Sequence, residues 1–244
     1  MERSAKDKLI VVLDVETARR ALDIFHMLKD VAGMFKVGSQ LFTAGGPQVV
    51  REIITAGGRV FLDLKFHDIP NTVAAAGAEA ARLGVSIFNV HASGGSEMMR
   101  RTSEAVAETA EREGLERPTV IAVTVLTSAD DSVLAETGFS SGTAEQVRRL
   151  ARLAASSGMG GVVASPHEVG LIRETVGRRD FVVVTPGVRP AGSARDDQRR
   201  VMTPAEAVRA GADYLVIGRP ILNAPDPARA ARDIIEEMEA KADG

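Results

Sequence analysis

A chain of 244 residues lies between the usual lengths of one and two domains, and an α/β barrel of this size forms a single one. The hydrophobic fraction of 45% is ample for a core, and with aromatics at 4% and no Trp that core is aliphatic, as suits parallel strands rich in Val and Ile. A net charge of −3 argues against nucleic acid or an anionic membrane as a partner, and the absence of cysteine excludes disulfides, thiolate metal sites and a cysteine nucleophile.

No apolar run reaches the roughly 18 residues of a membrane span. Met1–Lys8 is charged, with no signal-peptide pattern after it. The reading predicts a soluble, cytoplasmic protein. In chain order, strand-like apolar runs fall at Leu9–Val15, Met34–Val37, Val60–Phe66, Ser86–His91, Val120–Leu126, Gly161–Ser165, Phe181–Val188 and Tyr214–Gly218. Amphipathic segments separate them. Ser165-Pro166-His167-Glu168 and Thr203-Pro204-Ala205-Glu206 read as capping boxes with Pro at the first helical position, and Asp226-Pro227 opens the last helix in the same way. Gly84, Gly177 and Gly211 stand where helix C-caps belong.

Eight β/α units in roughly 250 residues predict a single-domain TIM (β/α)8 barrel over residues 1–244. An open, doubly wound sheet uses the same alternation, but no G-x-G-x-x-G follows the first strand to support a dinucleotide site. Two connections are longer than a barrel needs, 127–142 and 189–202. The second carries Arg189, Arg195, Arg199 and Arg200 beside Asp196, Asp197 and Gln198. Most such runs are solvated charge clusters; this one, at the C-terminal mouth of the barrel, reads as a ligand lid.

The chain is organised around Phe61-Leu-Asp63-Leu-Lys65-Phe-His67-Asp68-Ile-Pro-Asn-Thr72. In a strand, alternate residues share a face. Phe61, Asp63 and Lys65 therefore point one way, while Val60, Leu62, Leu64 and Phe66 point toward covering helices. An isolated D-x-K is more often a structural ion pair. Here Asp68 adds a third charge just past the strand end, and charges in a strand built for burial are costly unless they pair or work. The other polar residues at strand ends converge on the same mouth: Asp14, Lys36, Asn89, His91, Thr127, Ser165, Arg189 and Arg219. Gly218-Arg219-Pro220 after the eighth strand, with the seventh loop, stands where this fold commonly binds phosphate, so a phosphorylated small molecule is implied. The four histidines show no paired metal-ligand spacing, and Lys65 beside Asp63 would repel a cation. Nor do the flanking aspartates suit Lys65 to Schiff-base chemistry, since they hold it charged.

Asp63-Leu-Lys65-Phe-His-Asp68-Ile-Pro-Asn-Thr72 resembles the signature of the orotidine 5′-phosphate decarboxylase family. Similar stretches run along nearly the whole chain: Val11-Val-Leu-Asp14, Phe35-Lys36-Val-Gly, His91-Ala-Ser-Gly-Gly, Thr124-Val-Leu-Thr127-Ser, Thr185-Pro-Gly-Val-Arg189-Pro, Asp197-Gln198-x-Arg200-Val-Met-Thr-Pro and Tyr214-Leu-Val-Ile-Gly-Arg219-Pro-Ile. The resemblance implies decarboxylation of orotidine 5′-phosphate to UMP and CO2 without metal or cofactor. It implies an alternating array of Lys36, Asp63, Lys65 and Asp68, with Lys65 stabilising and protonating the carbanion. Asp14 and Lys36 would hold the ribose hydroxyls, and Thr127 and Pro186 would lie at the pyrimidine. Gln198 would bridge base and phosphate, and Arg189, Gly218 and Arg219 would hold the phosphate. It further implies a homodimer in which Asp68 and Thr72 reach the partner's site. The alternative within the superfamily is a Mg-dependent sugar-phosphate decarboxylase or synthase, which shares D-x-K-x-x-D; Ile-Pro-Asn-Thr and the Gln198 lid speak against it. One departure is visible. The family commonly has Gly before the Asp-Gln pair, where this chain has Asp196, and a position needing φ > 0 would bear on lid closure.

Overall fold

In a computed structural model, which describes residues 3–190 and 202–239, each of the eight apolar runs forms a strand. These are β1 (Leu9–Val12), β2 (Met34–Gly38), β3 (Val60–Phe66), β4 (Ile87–His91), β5 (Thr119–Val123), β6 (Gly161–Val163), β7 (Val182–Pro186) and β8 (Tyr214–Ile217). All neighbours pair in parallel, and β1 pairs β8 through Leu9↔Leu215, Ile10↔Val216 and Val11↔Ile217, closing the barrel. The open sheet is thereby excluded. Strands end earlier than the apolar runs suggest: Leu13–Val15, Thr124–Leu126 and Gly187–Val188 lie past the ladder and form the rim of the mouth. Val188 makes one further bridge, to Met202, so the long connection after β7 leaves and returns at a pinned base.

The helices are α1 (Ala5–Lys8), α2 (Ala18–Leu28), α3 (Ser39–Thr55), α4 (Pro70–Arg82), α5 (Gly95–Glu113), α6 (Asp131–Glu136), α7 (Thr143–Ser156), α8 (Val169–Val176), α9 (Pro204–Arg209), α10 (Arg219–Leu222) and α11 (Pro227–Glu239). Their starts follow the predicted punctuation. At α9 the Glu206 N–H donates to Thr203 Oγ1 at 3.3 Å, while Thr203 N–H donates to Glu206 Oε2 at 2.9 Å. Before α8, Ser165 N–H donates to Glu168 Oε2 at 3.0 Å. Arg229 N–H donates to Asp226 Oδ1 at 2.9 Å in the first turn of α11. Gly177 closes α8 in the left-handed region at φ 67°, where a Cβ would be strained. Inside α3 the helix is broken at Gly46 (φ 61°), and Pro47 restarts it. Among the described residues no helix is long and apolar enough to cross a membrane.

Period-two alternation divides the core in two. Outward residues such as Val11, Phe35, Leu62, Phe88 and Val183 pack beneath the helices. Inward residues form a second cluster within the barrel: Ile10, Val12, Met34, Phe61, Ile87, Ile121, Val123, Val163, Val182, Val184, Tyr214 and Val216. The barrel is thus filled rather than hollow. Each large aliphatic buried this way contributes roughly 1.5–3 kcal/mol. At the floor, the Arg3 guanidinium lies 4.8 Å from the Tyr214 ring and 3.6 Å from Asp213.

Candidate active site

The same alternation that fills the barrel builds the site. Lys36 follows Met34 on the inward face of β2, Asp63 follows Phe61 on β3, and Asn89 follows Ile87 on β4. A polar layer therefore sits directly on the apolar one, at the C-terminal end of the strands. Lys36, Asp63 and Asn89 are 7%, 8% and 0% exposed, which makes their pairing obligatory.

The pairing is a chain of alternating charge. Lys36 Nζ lies 3.1 Å from Asp14 Oδ1 and 3.1 Å from Asp63 Oδ2. Lys65 Nζ lies 2.7 Å from Asp63 Oδ1, the same oxygen to which Asn89 Nδ2 donates at 2.7 Å. Burial pushes the Asp63 carboxyl up, but the Lys36 and Lys65 charges and the hydrogen bonds from Lys65 and Asn89 outweigh it and hold the group below the usual carboxylate range. With both of its oxygens facing ammonium groups, Asp63 is not disposed to hold a cation. Among the described residues no cluster of three or more His, Asp or Glu could hold a metal ion. Space for Lys36 depends on Gly38, where a Cβ would stand 2.7 Å from Asp14 Oδ1 and 2.8 Å from Lys36 Nζ. His91, at the end of β4, stacks at 5.5 Å on His67. Burial, then the His67 and Lys65 charges, hold the His91 imidazole below its ordinary value.

Two cavities meet at the charges. One, about 170 Å³, is walled mostly by apolar groups (Phe61, Val123, Val125, Leu126, Val163, Val216) with Thr127 and Pro186 at its side. The other, about 470 Å³, runs from Asp14 and Lys36 to Arg189, Gly218 and Arg219. Lys36, Asp63 and Lys65 border both. A flat apolar ring fits the first, and a polar group ending in an anion fits the second. Arg189 is 7% exposed; its backbone N–H donates to Met202 O at 3.0 Å, at the base of the β7 connection, and its guanidinium Nη1 donates to Val188 O at 3.2 Å.

The structure thus brings together Asp14, Lys36, Asp63, Lys65, Thr127, Pro186, Arg189, Gly218 and Arg219. Asp68 and Thr72 line neither cavity. Both are exposed, and the Asp68 carboxylate accepts from Ile69 N–H at 2.6 Å rather than meeting Lys65 of its own chain. Residues 191–201 of the expected lid, Asp196 and Gln198 among them, lie outside the described residues. Sequence reasoning placed Asn89 at the mouth without a task for it; its inward parity on β4, opposite Asp63, was the signal available. It also missed Leu126 and Leu222 as cavity walls, residues that composition gives no reason to single out.

Known proteins resemble the chain along nearly its whole length. A family model described as Orotidine 5′-phosphate decarboxylase / HUMPS family matches residues 7–234. The orotidine 5′-phosphate decarboxylase of Geobacter sulfurreducens is 59% identical over 236 residues, covering 97% of this chain and 98% of that one. That of Moorella thermoacetica is 57% identical, covering 96% and 93%. A crystal structure of orotidine 5′-phosphate decarboxylase from Lactobacillus acidophilus superposes with a TM-score of 0.83 at 39% identity, covering 94% and 98%. With a closed barrel, an ammonium–carboxylate chain across its mouth and relatives this similar end to end, the chain belongs to the orotidine 5′-phosphate decarboxylase family.

Proposed function

We infer that this protein decarboxylates orotidine 5′-phosphate to UMP and CO2, the last step of de novo pyrimidine synthesis. The observation that carries the reading is the Lys65 ammonium, fixed 2.7 Å from Asp63 where the apolar cavity meets the cationic one. Breaking the bond from C6 to its carboxylate leaves the electron pair on C6, with no adjacent carbonyl to delocalise it. A positive charge already in place stabilises that pair without reorganising. Lys65 then gives its proton to C6, CO2 departs, and the resulting amine recovers a proton from water. Asp63 faces the departing carboxylate and, through its bond to Lys65, fixes the ammonium.

The remaining roles follow the two cavities. Asp14 and Lys36 hold the ribose hydroxyls, while Thr127 and Pro186 border the pyrimidine. Arg189, Gly218 and Arg219 take the phosphate, with Gln198 bridging base and phosphate from the lid. Phosphate binding far from C6 serves to hold the ring in place during the reaction. The working form is a homodimer in the cytoplasm, Asp68 and Thr72 completing the partner's site. An Asp68 carboxylate that turns away from its own Lys65, next to Ile69 with 66% of its surface exposed, supports that arrangement.

The test is an ultraviolet assay of orotidine 5′-phosphate in excess chelator, run on the wild type and Lys65→Ala. Turnover that survives chelation and vanishes in a folded Lys65→Ala protein is the expected result. Loss of activity on chelation would instead point to a Mg-dependent sugar-phosphate enzyme, and near-normal activity in Lys65→Ala would remove Lys65 from the mechanism.

A further inference from the structure

Along β3 and β4 the ladder does not run evenly. Leu62 pairs Phe88 and Phe66 pairs Val90, so four steps along β3 span two along β4. The slack is taken up at Asp63–Lys65, and Lys65 adopts φ 51°, the single non-glycine residue at positive φ among those described. A lysine held there is strained, and such strain persists only where the surroundings impose it. The side chain that meets this turn is Asn89. Its Oδ1 accepts the Lys65 N–H at 2.8 Å, and its Nδ2 donates to Asp63 Oδ1 at 2.7 Å. The amide orientation is fixed by its partners, since a backbone N–H can only donate and a carboxylate can only accept. Asn89 is fully buried and borders neither cavity, so it is placed to act on Lys65 and Asp63 rather than on a ligand.

We propose that Asn89 is a positioning residue for decarboxylation: one side chain holds the Lys65 backbone in its left-handed turn and aims the Asp63 carboxylate, so that the ammonium and the carboxylate face the reacting carbon together. An aliphatic side chain, as at Ile87 below it, would fill the volume and leave both groups unaimed. The inference rests on Lys65 being the proton donor.

The experiment compares Asn89→Ala and Asn89→Asp with the wild type on orotidine 5′-phosphate. Asn89→Ala is expected to lower kcat by about 10²-fold, the scale of a misplaced catalytic group, with KM moving less than about threefold. Asn89→Asp keeps the volume and the acceptor for Lys65 N–H but sets a second carboxylate against Asp63. Around position 89 stand Asp63 and Lys65 on β3, Lys36 beyond Asp63, and His91 with His67 against it. Two carboxylates so close share a proton, and the protonated form can again donate to Asp63. The kcat of Asn89→Asp relative to wild type is therefore expected to rise as pH falls. A purely structural Asn89 would lower melting temperature and leave kcat, and that ratio, unchanged. Asn89→Ala turning over within about threefold of wild type overturns the proposal; if that variant does not fold, a pH-independent ratio for Asn89→Asp overturns it. Activity in Lys65→Ala sinks the reading of the site itself, whereas an inactive Lys65→Ala beside a fast Asn89→Ala sinks only the positioning role.

Discussion

Two ammonium groups share the Asp63 carboxylate, and truncating them is expected to damage different properties. Lys36 Nζ lies 3.1 Å from one oxygen with its side chain 9% exposed, and Lys65 Nζ lies 2.7 Å from the other with its side chain 35% exposed. By distance the two pairs are alike: at an effective dielectric of about 20, unit charges about 3 Å apart attract by roughly 5 kcal/mol. Burial separates them. Lys36→Ala strips a partner from a carboxylate whose side chain is almost as buried as its own, at a cost of about 3–5 kcal/mol. Lys65→Ala opens the mouth, so water reaches the freed oxygen and the cost is about 0–1 kcal/mol, as for an exposed pair. In a chain of this size 1 kcal/mol moves the melting temperature by roughly 2–4 °C, so Lys36→Ala is expected to melt roughly 6–20 °C lower. Lys65→Ala keeps its fold and loses turnover. The sign with pH is also fixed. Asp63, held below the usual carboxylate range, contributes stability above that range and loses it as pH falls through its folded value. Without Lys36 that contribution shrinks, so the gap to wild type narrows in acid. Thermal and urea unfolding at neutral and acidic pH, at one protein concentration, measure both effects. Equal destabilisation by the two substitutions, or a larger loss from Lys65→Ala, would refute the assignment of cost to burial.

Arg219→Ala is expected to lower kcat/KM for orotidine 5′-phosphate by roughly 2–5 kcal/mol while leaving orotidine, which lacks the phosphate, turned over equally by mutant and wild type; a mutant also much worse on orotidine would make Arg219 a structural residue. Lys65→Ala and Asp68→Ala homodimers are each expected to be nearly inactive, and mixing them with subunit exchange regains about a quarter of wild-type activity, because half the dimers are hybrids with one intact site; exchange without recovery would place Asp68 within its own subunit's site. His91, held below its ordinary value by burial and by its His67 and Lys65 neighbours, takes up a proton more readily when unfolded. Stability therefore falls as pH drops below about 6.5 and levels off past the folded value, and His91→Gln is expected to flatten that part of the profile. An unchanged slope in the variant would assign it to another group.

The barrel was legible because runs such as Leu-Ile-Val-Val and Tyr-Leu-Val-Ile permit little besides buried strands, and because Thr203-Pro204 and Asp226-Pro227 mark helix starts. Alternation likewise placed Asp63 and Lys65 together inside. It did not reveal the uneven ladder between β3 and β4 or the left-handed turn at Lys65, since nothing in Leu-Lys-Phe favours φ > 0; that conformation is met from the neighbouring strand by Asn89. Nor did it reveal the intrachain bond of Asp68 to Ile69 N–H, which depends on how the chain turns before Pro70.

Phe61, Val123, Val163 and Val216 belong to the packed interior of the barrel and at the same time form the bed of the smaller cavity. Those side chains are keystones as much as they are a template. Trimming Phe61 to admit a bulkier heterocycle would leave a void among Ile87, Ile121 and the other inward residues whenever the site stands empty. Voids of that kind cost about 3–5 kcal/mol for a large-to-small aromatic change. Adaptation of this enzyme to wider ring systems is therefore confined to the rim, at Leu126 and Thr127, where side chains can change without unseating the strands beneath them.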